Sequence, residues 1–343
     1  MNREEPVRTL AGVVLEIQRM STEDGPGLRT TVFFKGCGLR CAWCHNPESL
    51  ERKPQVQWIE TKCIFCKMCL EACPQGALSF SDEQIVINRD RCEGCGTCAD
   101  ICPSTAMELL GKSWTVEQLV GEVMKDAPYF KNSGGITASG GEAALQALFV
   151  SEFFKELKHR DVHTALDTSG LCPRESLEKI LPYTDLILYD IKEIDPIKHR
   201  EFTGTGNELI LENLLFTGNY VRDRIPRREM WIRTPIIPGA TDREDNIAGI
   251  GAFIAEHLNG VVTRWELCAF NNLCRDKYRR LGTEWQYGTA GLMKLEEMEA
   301  LAAAARASGV NPDIVRWSGS TELEADITNI KTETAAKKYT PSC

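Results

Sequence analysis

Three cysteines on one short loop constrain this chain more than any other feature. Cys37, Cys41 and Cys44 stand in a CxxxCxxC pattern. At this spacing three thiolates can ligate three irons of a [4Fe–4S] cube and leave the fourth iron without a protein ligand. A structural zinc site needs four protein ligands, so a zinc knuckle is disfavoured, and an open metal position is typical of a catalytic site. The CxxxCxxC loop therefore predicts a catalytic iron–sulfur cluster.

Eight further cysteines follow in two copies of the motif C-x2-C-x2-C-x3-C-P. In the bacterial ferredoxin pattern the first three cysteines of a copy bind one [4Fe–4S] cluster and the fourth binds the other cluster. This rule defines a first cluster set, Cys63, Cys66, Cys69 and Cys102, and a second cluster set, Cys92, Cys95, Cys98 and Cys73. Two intact copies, each followed by a proline, argue against a zinc ribbon or a disulfide scaffold.

The composition predicts a reducing compartment for these thiols. The chain has 15 cysteines and a net charge of −9. The four cysteines outside the motifs are interpreted as ordinary buried or tail thiols: Cys172, Cys268, Cys274 and Cys343. Many reduced cysteines, no apolar leader and no apolar run of about 18 residues predict a cytoplasmic protein without a membrane span. The acidic balance argues against nucleic acid as a partner, and we expect a monomer.

Apolar, β-rich segments alternate with helical patterns over most of the chain. The predicted strands cover residues 28–36, 135–140, 163–169, 186–191, 230–237 and 264–270. The predicted helices cover about 115–130, 144–160, 174–182, 208–220, 243–258 and 293–308, and the first opens with the Thr115–Gln118 spacing of a capping box. Near-continuous apolar strands between helices indicate a parallel sheet with a covered outer face. Six such units predict an α/β fold, an open, partial (β/α)6 barrel of the TIM type.

The duplicated cysteine motif interrupts this barrel pattern. We expect a ferredoxin-like domain with two [4Fe–4S] clusters at residues 52–112, inserted between the first strand and its helix. The barrel then comprises residues 1–51 and 113–330. Residues 331–343 are predicted to form a polar tail.

Polar residues and glycines stand at the carboxyl ends of the predicted strands, where barrels of this type carry their chemistry. They are Gly140, Gly141, Glu142, Asp167, Thr168, Asp190, Lys192, Arg233 and Asn271, with the apolar Ile191 included because it joins Asp190 to Lys192. The glycines allow a close approach of backbone to a ligand, and Glu142 is expected to accept hydrogen bonds from an ammonium group. Charged groups at apolar strand ends are costly to bury without partners. A lone arginine on a strand is more often a salt-bridge partner, so Arg233 has this second interpretation.

Six short segments carry a resemblance to a known family. They are DGPGLR (24–29), FFKGC (33–37), CHN (44–46), GITASGGEA (135–143), LDTSG (166–170) and DIK (190–192). With them, the chain up to about residue 320 resembles the activating enzymes of glycyl radical enzymes, the pyruvate formate-lyase activase family of radical S-adenosylmethionine (SAM) enzymes. The CxxxCxxC pattern is the signature of radical SAM enzymes. The ferredoxin-type insert is typical of the larger branch of the family.

The resemblance implies a SAM site around the first cysteine motif. The free iron would chelate the amino and carboxylate groups of SAM. Trp43 would pack by the adenine, and the backbone of Cys44 and His45 would line the site. Gly140, Gly141 and Glu142 resemble the motif that binds the SAM amino group.

The later strand ends are implied to complete this site. Asp167, Thr168 and Asp190 resemble a monovalent-cation site beside the SAM carboxylate. The motif Asp190-Ile191-Lys192 would approach both SAM and the substrate peptide. Arg233 would contact the SAM carboxylate or ribose. Asn271 stands where the formate-lyase activase has a histidine, so a contact there would be made by an amide.

The resemblance implies an activase whose substrate is another protein. A reduced flavodoxin or ferredoxin would supply one electron, SAM would be cleaved to methionine and a 5′-deoxyadenosyl radical, and this radical would abstract a hydrogen from a glycine Cα of a partner glycyl radical enzyme. One alternative is a different radical SAM maturase that modifies peptides and has auxiliary clusters. Such enzymes usually have their extra cysteines in a carboxyl-terminal extension. The other alternative is an iron–sulfur electron carrier without catalysis, which would not need a barrel.

Overall fold

The computed structural model describes residues 10–131, 133–224 and 228–322. The strands are β1 (Ala11–Ser21), β2 (Arg29–Phe34), β3 (Gln55–Trp58), β4 (Leu78–Ser81), β5 (Gln84–Ile87), β6 (Met107–Leu110), β7 (Lys112–Thr115), β8 (Gly135–Gly140), β9 (Thr164–Thr168), β10 (Leu186–Asp190), β11 (Glu229–Ile236), β12 (Arg264–Ala269) and β13 (Val315–Ser318). The α-helices are α1 (Met68–Ala72), α2 (Thr97–Asp100), α3 (Val116–Val123), α4 (Ala127–Phe130), α5 (Ala147–Lys158), α6 (Arg174–Ile180), α7 (Pro196–Thr203), α8 (Glu208–Arg222), α9 (Glu244–His257), α10 (Arg275–Leu281) and α11 (Leu295–Ala307). Short 3-10 helices cover Pro47–Ser49, Glu60–Lys62, Met124–Asp126, Ala143–Gln146, Leu181–Tyr183 and Pro312–Ile314.

A nine-stranded sheet forms the main body of the protein. Its strand order is β13-β12-β11-β10-β9-β8-β2-β1-β7. The seven strands from β2 to β13 run parallel, whereas β1 pairs antiparallel with both β2 and β7. The six predicted strands are β2 and β8 to β12, and they are neighbours in that order. The predicted α/β fold with an open, parallel, barrel-type sheet is therefore confirmed.

Three strands of this sheet were not predicted from the sequence. β13 has four residues, and β7, with the sequence KSWT, has no buried residue. β1 is long, but more than half of its side chains are exposed or half-buried. None of the three has the continuous apolar run that marks a strand buried on both faces. They extend the sheet at its two edges, which do not pair with each other within the described residues.

The central strands are buried on both faces because helices cover the outer one. Val32, Ile136, Leu166 and Leu188 are each 0% exposed. The helix that precedes β8 begins with the predicted capping box: the backbone N–H of Gln118 donates to Thr115 Oγ1 at 3.2 Å, and the Thr115 N–H donates to the Gln118 side chain at 3.0 Å. Caps and apolar faces of this kind fix where each helix begins and how it packs on the sheet.

The predicted insert folds outside the large sheet. β3 pairs with β6 and β4 pairs with β5 in two small antiparallel sheets. Their own apolar cluster contains Val56, Leu78, Ile85 and Met107, packed with cysteines of both cluster sets. The predicted polar tail, 331–343, lies outside the described residues, as does Cys343. No helix in the described part of the chain is long and apolar enough to cross a membrane.

Candidate active site

A cleft of about 510 Å³ opens at the carboxyl ends of the parallel strands. Most of the residues predicted for the site line it: Cys37, Cys41, Trp43, Cys44, His45, Gly140, Gly141, Asp167, Thr168, Asp190, Lys192, Arg233 and Asn271. Two predicted residues, Glu142 and Ile191, do not. Because the strands are parallel and adjacent, their ends bring residues more than 200 positions apart in sequence into one cavity.

The CxxxCxxC loop forms one wall of this cleft. It leaves the end of β2 and is held by backbone hydrogen bonds from Cys37 N–H to the Leu50 carbonyl (3.1 Å) and from Cys44 N–H to the Cys41 carbonyl (3.0 Å). Burial raises the pKa of Cys37 and Cys44 to about 11 and that of Cys41 to about 12. A buried thiol of this kind loses its proton when its sulfur binds a metal, because the metal takes the place of the proton. Three thiols facing one cleft fit a cluster bound on one side and open on the other.

Two small hollows in the insert collect the other eight motif cysteines. One is lined by the four thiols of the first cluster set, and the other by the four thiols of the second cluster set. The eight cysteines are therefore grouped in the structure as their spacing in the sequence predicts. Binding of iron by these residues stays a prediction. In the described part of the chain, no three His, Cys, Asp or Glu side chains are placed to share a single ion. A cube, by contrast, takes each thiolate on a different iron atom.

Acidic and basic side chains face each other across the ends of β9, β10 and β11. Lys192 Nζ lies 2.7 Å from Asp190 Oδ2, and an Arg233 Nη lies 3.7 Å from Asp167 Oδ1. Ser139 donates to Asp167 at 2.5 Å. Burial raises the pKa of Asp167 to about 7, the Asp190 charge adds to this, and Arg233 opposes it. Burial disfavours the charge on Lys192, yet Asp190 raises the pKa of this lysine above its ordinary value.

The two glycines after β8 are required by the protein's own packing. Gly140 has φ +110°, a conformation that favours glycine, and a Cβ there would lie 2.4 Å from the Phe34 backbone nitrogen. A Cβ on Gly141 would lie 2.4 Å from the Gly36 carbonyl oxygen. The close backbone approach that the sequence predicts is therefore an approach to the segment just before Cys37. A ligand contact at these glycines stays a prediction.

Glu142 has a different setting from the one expected. It is 1% exposed and accepts hydrogen bonds from the hydroxyls of Thr168 (2.7 Å) and Ser169 (2.7 Å) and from the N–H groups of Ser169 (2.9 Å) and Ala144 (3.1 Å). Both carboxylate oxygens are thus used by protein donors, and they tie the loop after β8 to the loop after β9. An ammonium ligand has no open oxygen on Glu142 in this geometry.

Ile191 is also turned away from the cleft. Its side chain is 1% exposed and belongs to the main apolar core. Its N–H donates to the Arg233 carbonyl at 2.9 Å and so continues the pairing of β10 with β11. Any role of Ile191 in the site is restricted to holding Asp190 and Lys192 on either side of it.

Aromatic rings build the wall next to the third cysteine. Trp43 is 5% exposed and packs against Phe202 and Tyr287, with ring centroids 6.1 and 6.3 Å apart. His45 packs 6.0 Å from Phe270, and burial lowers the pKa of its imidazole. A neutral, aromatic wall of this kind suits an uncharged ring of a ligand such as adenine.

Several cleft residues were missed from the sequence. Asp24 lines the cleft and accepts hydrogen bonds from Ser21 (2.6 Å) and Thr31 (2.7 Å). Cys268 also lines it, as a half-buried free thiol. The DGPG segment was a signal for Asp24, but Cys268 has no local signal because only the register of β12 beside β11 places it there.

A helix that the sequence did not predict, α10, braces the cysteine loop. Tyr278 donates a hydrogen bond of 2.9 Å to the Cys44 carbonyl, and the Cys274 thiol lies 3.7 Å from the same oxygen. Lys277 forms an ion pair with Glu48 at 2.6 Å. α10 also packs on β3 of the insert. The helix therefore contacts both iron–sulfur regions.

Comparison with known proteins agrees with this geometry. The sequence profile of the radical SAM superfamily matches residues 88–249, and the profile of the 4Fe-4S dicluster domain matches residues 62–106. The chain is 41% identical over 281 residues to the (2S)-3-sulfopropanediol dehydratase activating enzyme of Klebsiella oxytoca, covering 80% of this chain and 87% of that one. It is 38% identical over 312 residues to the indoleacetate decarboxylase activating enzyme of Tractidigestivibacter scatoligenes, covering 88% and 96%.

The fold is also similar to that of a more distant protein. The crystal structure of Streptococcus suis SuiB bound to its precursor peptide SuiA matches with a TM-score of 0.50 at 9% identity, over 82% of this chain and 46% of that one. At this identity the likeness concerns the fold alone.

An open parallel barrel with three cysteines at its mouth and a dicluster insert defines a radical SAM enzyme. The chain belongs to this superfamily, in the family of activating enzymes of glycyl radical enzymes. Its cofactors are accordingly SAM and [4Fe–4S] clusters, one at the SAM site and further ones in the dicluster domain.

Proposed function

We propose that this protein activates a glycyl radical enzyme by reductively cleaving SAM to methionine and a 5′-deoxyadenosyl radical, which takes one hydrogen from a glycine Cα of the partner and becomes 5′-deoxyadenosine. One electron enters, one C–S bond breaks and one C–H bond is exchanged, so the glycine is left as the radical. The observation that carries the proposal is the single cleft shared by the three thiols of the CxxxCxxC loop and the polar ends of β8 to β12.

The residues divide into those that hold the cluster and those that hold SAM. Cys37, Cys41 and Cys44 bind the cluster that delivers the electron. We assign the adenine to the aromatic wall with Trp43 and His45. Since Glu142 is committed to protein donors, we assign the SAM ammonium to the backbone around Gly140 and Gly141 instead.

The charged strand ends position the carboxylate of SAM. Asp167, Thr168 and Asp190 are proposed to hold a monovalent cation beside it, which would offset the like charges of two neighbouring carboxylates. Lys192 and Arg233 supply the fixed positive charges, and both are buried enough to keep their orientation without a ligand. Asn271 lies at the cleft wall, and we assign its amide to a contact with SAM.

The cleft also protects the reaction. The adenosyl radical must meet one glycine and no solvent hydrogen donor, so the site has to position the reacting carbon and exclude water. The open edge of the sheet leaves a lateral entrance for a peptide loop. Asp190 and Lys192 line the cleft at the end of the interior strand β10, and we propose that they contact a glycine loop of the partner once it has entered.

The family indicates the kind of partner, a glycyl radical enzyme. The relatives described above are named as activating enzymes of a dehydratase and of a decarboxylase. We propose a reduced flavodoxin or ferredoxin as electron donor, a relay through the two clusters of the insert, and a monomeric active form.

The experiment is the activation itself. The anaerobically reconstituted protein is incubated with SAM, dithionite and a glycyl radical enzyme from the same genome. We expect an organic radical with a doublet signal in electron paramagnetic resonance, and Cys44→Ala should abolish it. If 5′-deoxyadenosine forms and a small peptide is modified while no glycyl radical appears, the protein is a peptide-modifying maturase instead.

A further inference from the structure

The two cluster sets of the insert have different surfaces. The ligand loop of the first cluster set exposes three large apolar side chains: Ile64 is 63%, Phe65 43% and Met68 41% exposed. They surround Cys66, which is itself exposed. The corresponding loop of the second cluster set, Glu93-Gly-Cys-Gly-Thr97, has no large apolar residue. Isolated apolar residues on a surface are ordinary, but three around one metal ligand form a patch.

The second cluster set lies on the side of the insert that faces the barrel. Gly94 packs against the backbone of Pro54, since a Cβ at this position would lie 2.0 Å from the Pro54 carbonyl oxygen. The next residue, Gln55, accepts a hydrogen bond of 3.2 Å from Lys35, which directly follows β2. This end of β3 is therefore attached to the barrel close to the CxxxCxxC loop.

The first cluster set lies farther along the same strand. Val56 lines the hollow of the second cluster set, and Trp58 lines the hollow of the first. Two residues of an extended strand span about 7 Å. The end of β3 that is attached to the barrel thus lies beside the second cluster set, and its other end lies beside the first.

The charge around the exposed patch differs from that of the whole protein. Between Thr61 and Leu70 there are two lysines and no acidic residue, whereas the chain carries a net charge of −9. Lys67 lies 4.3 Å from the centre of the Phe80 ring and forms no ion pair with a described residue. Phe65 packs on the same ring at 6.0 Å. Lys67 therefore gives the patch a positive charge that attracts an acidic protein.

We propose that the patch of Ile64, Phe65, Lys67 and Met68 docks an acidic one-electron carrier protein that presents the apolar edge of a reduced flavin, and that electrons enter at the first cluster set. The proposal rests on the proposed function, which requires one electron for each SAM. The flavin is oxidised by one electron and the first cluster is reduced by one, and the electron then passes through the second cluster toward the SAM cleft. Apolar and aromatic side chains fit the flavin edge, and Lys67 fits its acidic rim.

The test uses reduced flavodoxin as the probe and needs no SAM. The rate constant for oxidation of its flavin by the oxidised holoprotein is measured at several flavodoxin concentrations. We expect the triple variant Ile64→Ser, Phe65→Ser, Met68→Ser to lower this constant roughly tenfold or more, since a few central side chains dominate an interface. Lys67→Glu should lower it as well and weaken its dependence on ionic strength.

The control variant is Val86→Ser in β5 of the same insert. Val86 is 47% exposed, but it pairs with Ser79, whereas Phe80 pairs with Ile85, so Val86 points to the opposite face of the hairpin from Phe80. Its rate constant should equal that of the native protein. Iron content and the rate of 5′-deoxyadenosine formation with dithionite should be unchanged in every variant, which shows that the fold and the clusters are intact.

Three results would overturn the proposal. The first is a native rate constant in the triple variant. The second is a loss of glycyl radical with dithionite as reductant, because the patch would then bind the glycyl radical enzyme. The third is a native dimer that the triple variant converts to a monomer in sedimentation, because the patch would then join two copies. Failure of the proposed function is recognised separately, since the native protein would then form no 5′-deoxyadenosine with dithionite.

Discussion

The hydroxyl of Tyr278 donates a hydrogen bond of 2.9 Å to the backbone carbonyl of Cys44, 234 residues earlier in the chain. The bond joins a helix near the carboxyl end of the barrel to the third cysteine of the CxxxCxxC loop. Tyr278 also stacks on Trp285 with ring centroids 5.4 Å apart. The hydrogen bond from Tyr278 therefore holds the backbone of Cys44, a proposed cluster ligand, from outside the cleft.

Tyr278→Phe keeps this stacking and removes only the hydrogen bond. A donor that withdraws charge from a ligand's peptide stabilises the reduced, more negative cluster. We expect the midpoint potential of the SAM-site cluster to fall by on the order of 40 mV, which corresponds to a net hydrogen-bond contribution of about 1 kcal/mol. The potential is measured in a redox titration in which electron paramagnetic resonance monitors the reduced cluster.

Tyr129→Phe serves as the control, because Tyr129 is 51% exposed and lies on α4. Its potential should be that of the native protein. An unchanged potential in Tyr278→Phe would show that the contact only supports the fold.

Sequence and structure agree most closely where the signal is local. The spacing of Cys37, Cys41 and Cys44, the two ferredoxin copies and the six buried strands can each be recognised within ten or so residues. The capping box at Thr115 is of the same kind. These patterns sufficed for the fold class, and most of the residues predicted for the site line the cleft.

The differences concern contacts between distant segments. No local pattern indicates that Tyr278 meets Cys44, or that Cys268 faces the cleft beside Arg233. The carboxylate of Glu142 looks available in the sequence, but the hydroxyls of Thr168 and Ser169 come from the next strand end. Such partners depend on the register of neighbouring strands, which the sequence does not express locally.

The glycine pair after β8 leads to a second prediction. Gly141→Ala places a Cβ 2.4 Å from the Gly36 carbonyl oxygen, which belongs to backbone and cannot rotate away. We expect a loss of roughly 1–3 kcal/mol in the free energy of unfolding, typical of overpacking, and a selective loss of iron from the SAM site, because Gly36 precedes Cys37. Chemical denaturation and iron analysis measure both effects.

Gly121→Ala is the matched control for this substitution. Gly121 lies in α3 and a Cβ there meets nothing within 4 Å. Alanine is the better helix former, so this variant should gain about 0.5–1 kcal/mol and retain all its iron. Equal behaviour of the two variants would contradict the packing that we describe for Gly141.

The proposed cation site predicts a dependence on pH. The folded protein holds the pKa of Asp167 at about 7, so this carboxyl loses its proton only as the pH rises through neutrality. A cation needs the carboxylate, and a proton competes with it below that pH. Potassium should therefore strengthen SAM binding more at about pH 8 than at about pH 6. The fraction of Asp167 present as carboxylate is up to roughly tenfold larger at the higher pH.

Isothermal titration of the reconstituted protein with SAM, with and without potassium, measures this effect. Asp167→Asn should remove the response to potassium at both pH values. Asp245→Asn, a control on the outer helix α9 with a side chain 63% exposed, should retain it. A potassium effect of the same size at both pH values in the native protein would exclude Asp167 as a cation ligand.

The most direct test of the account follows the abstracted hydrogen. A glycyl radical enzyme from the same genome is prepared with α-deuterated glycine and is incubated with this protein, SAM and dithionite, and the 5′-deoxyadenosine is analysed by mass spectrometry. We predict one deuterium per molecule of 5′-deoxyadenosine, in proportion to the glycyl radical formed, because the C5′ atom takes its hydrogen from the glycine Cα. Unlabelled 5′-deoxyadenosine formed alongside a glycyl radical would contradict direct abstraction in the cleft.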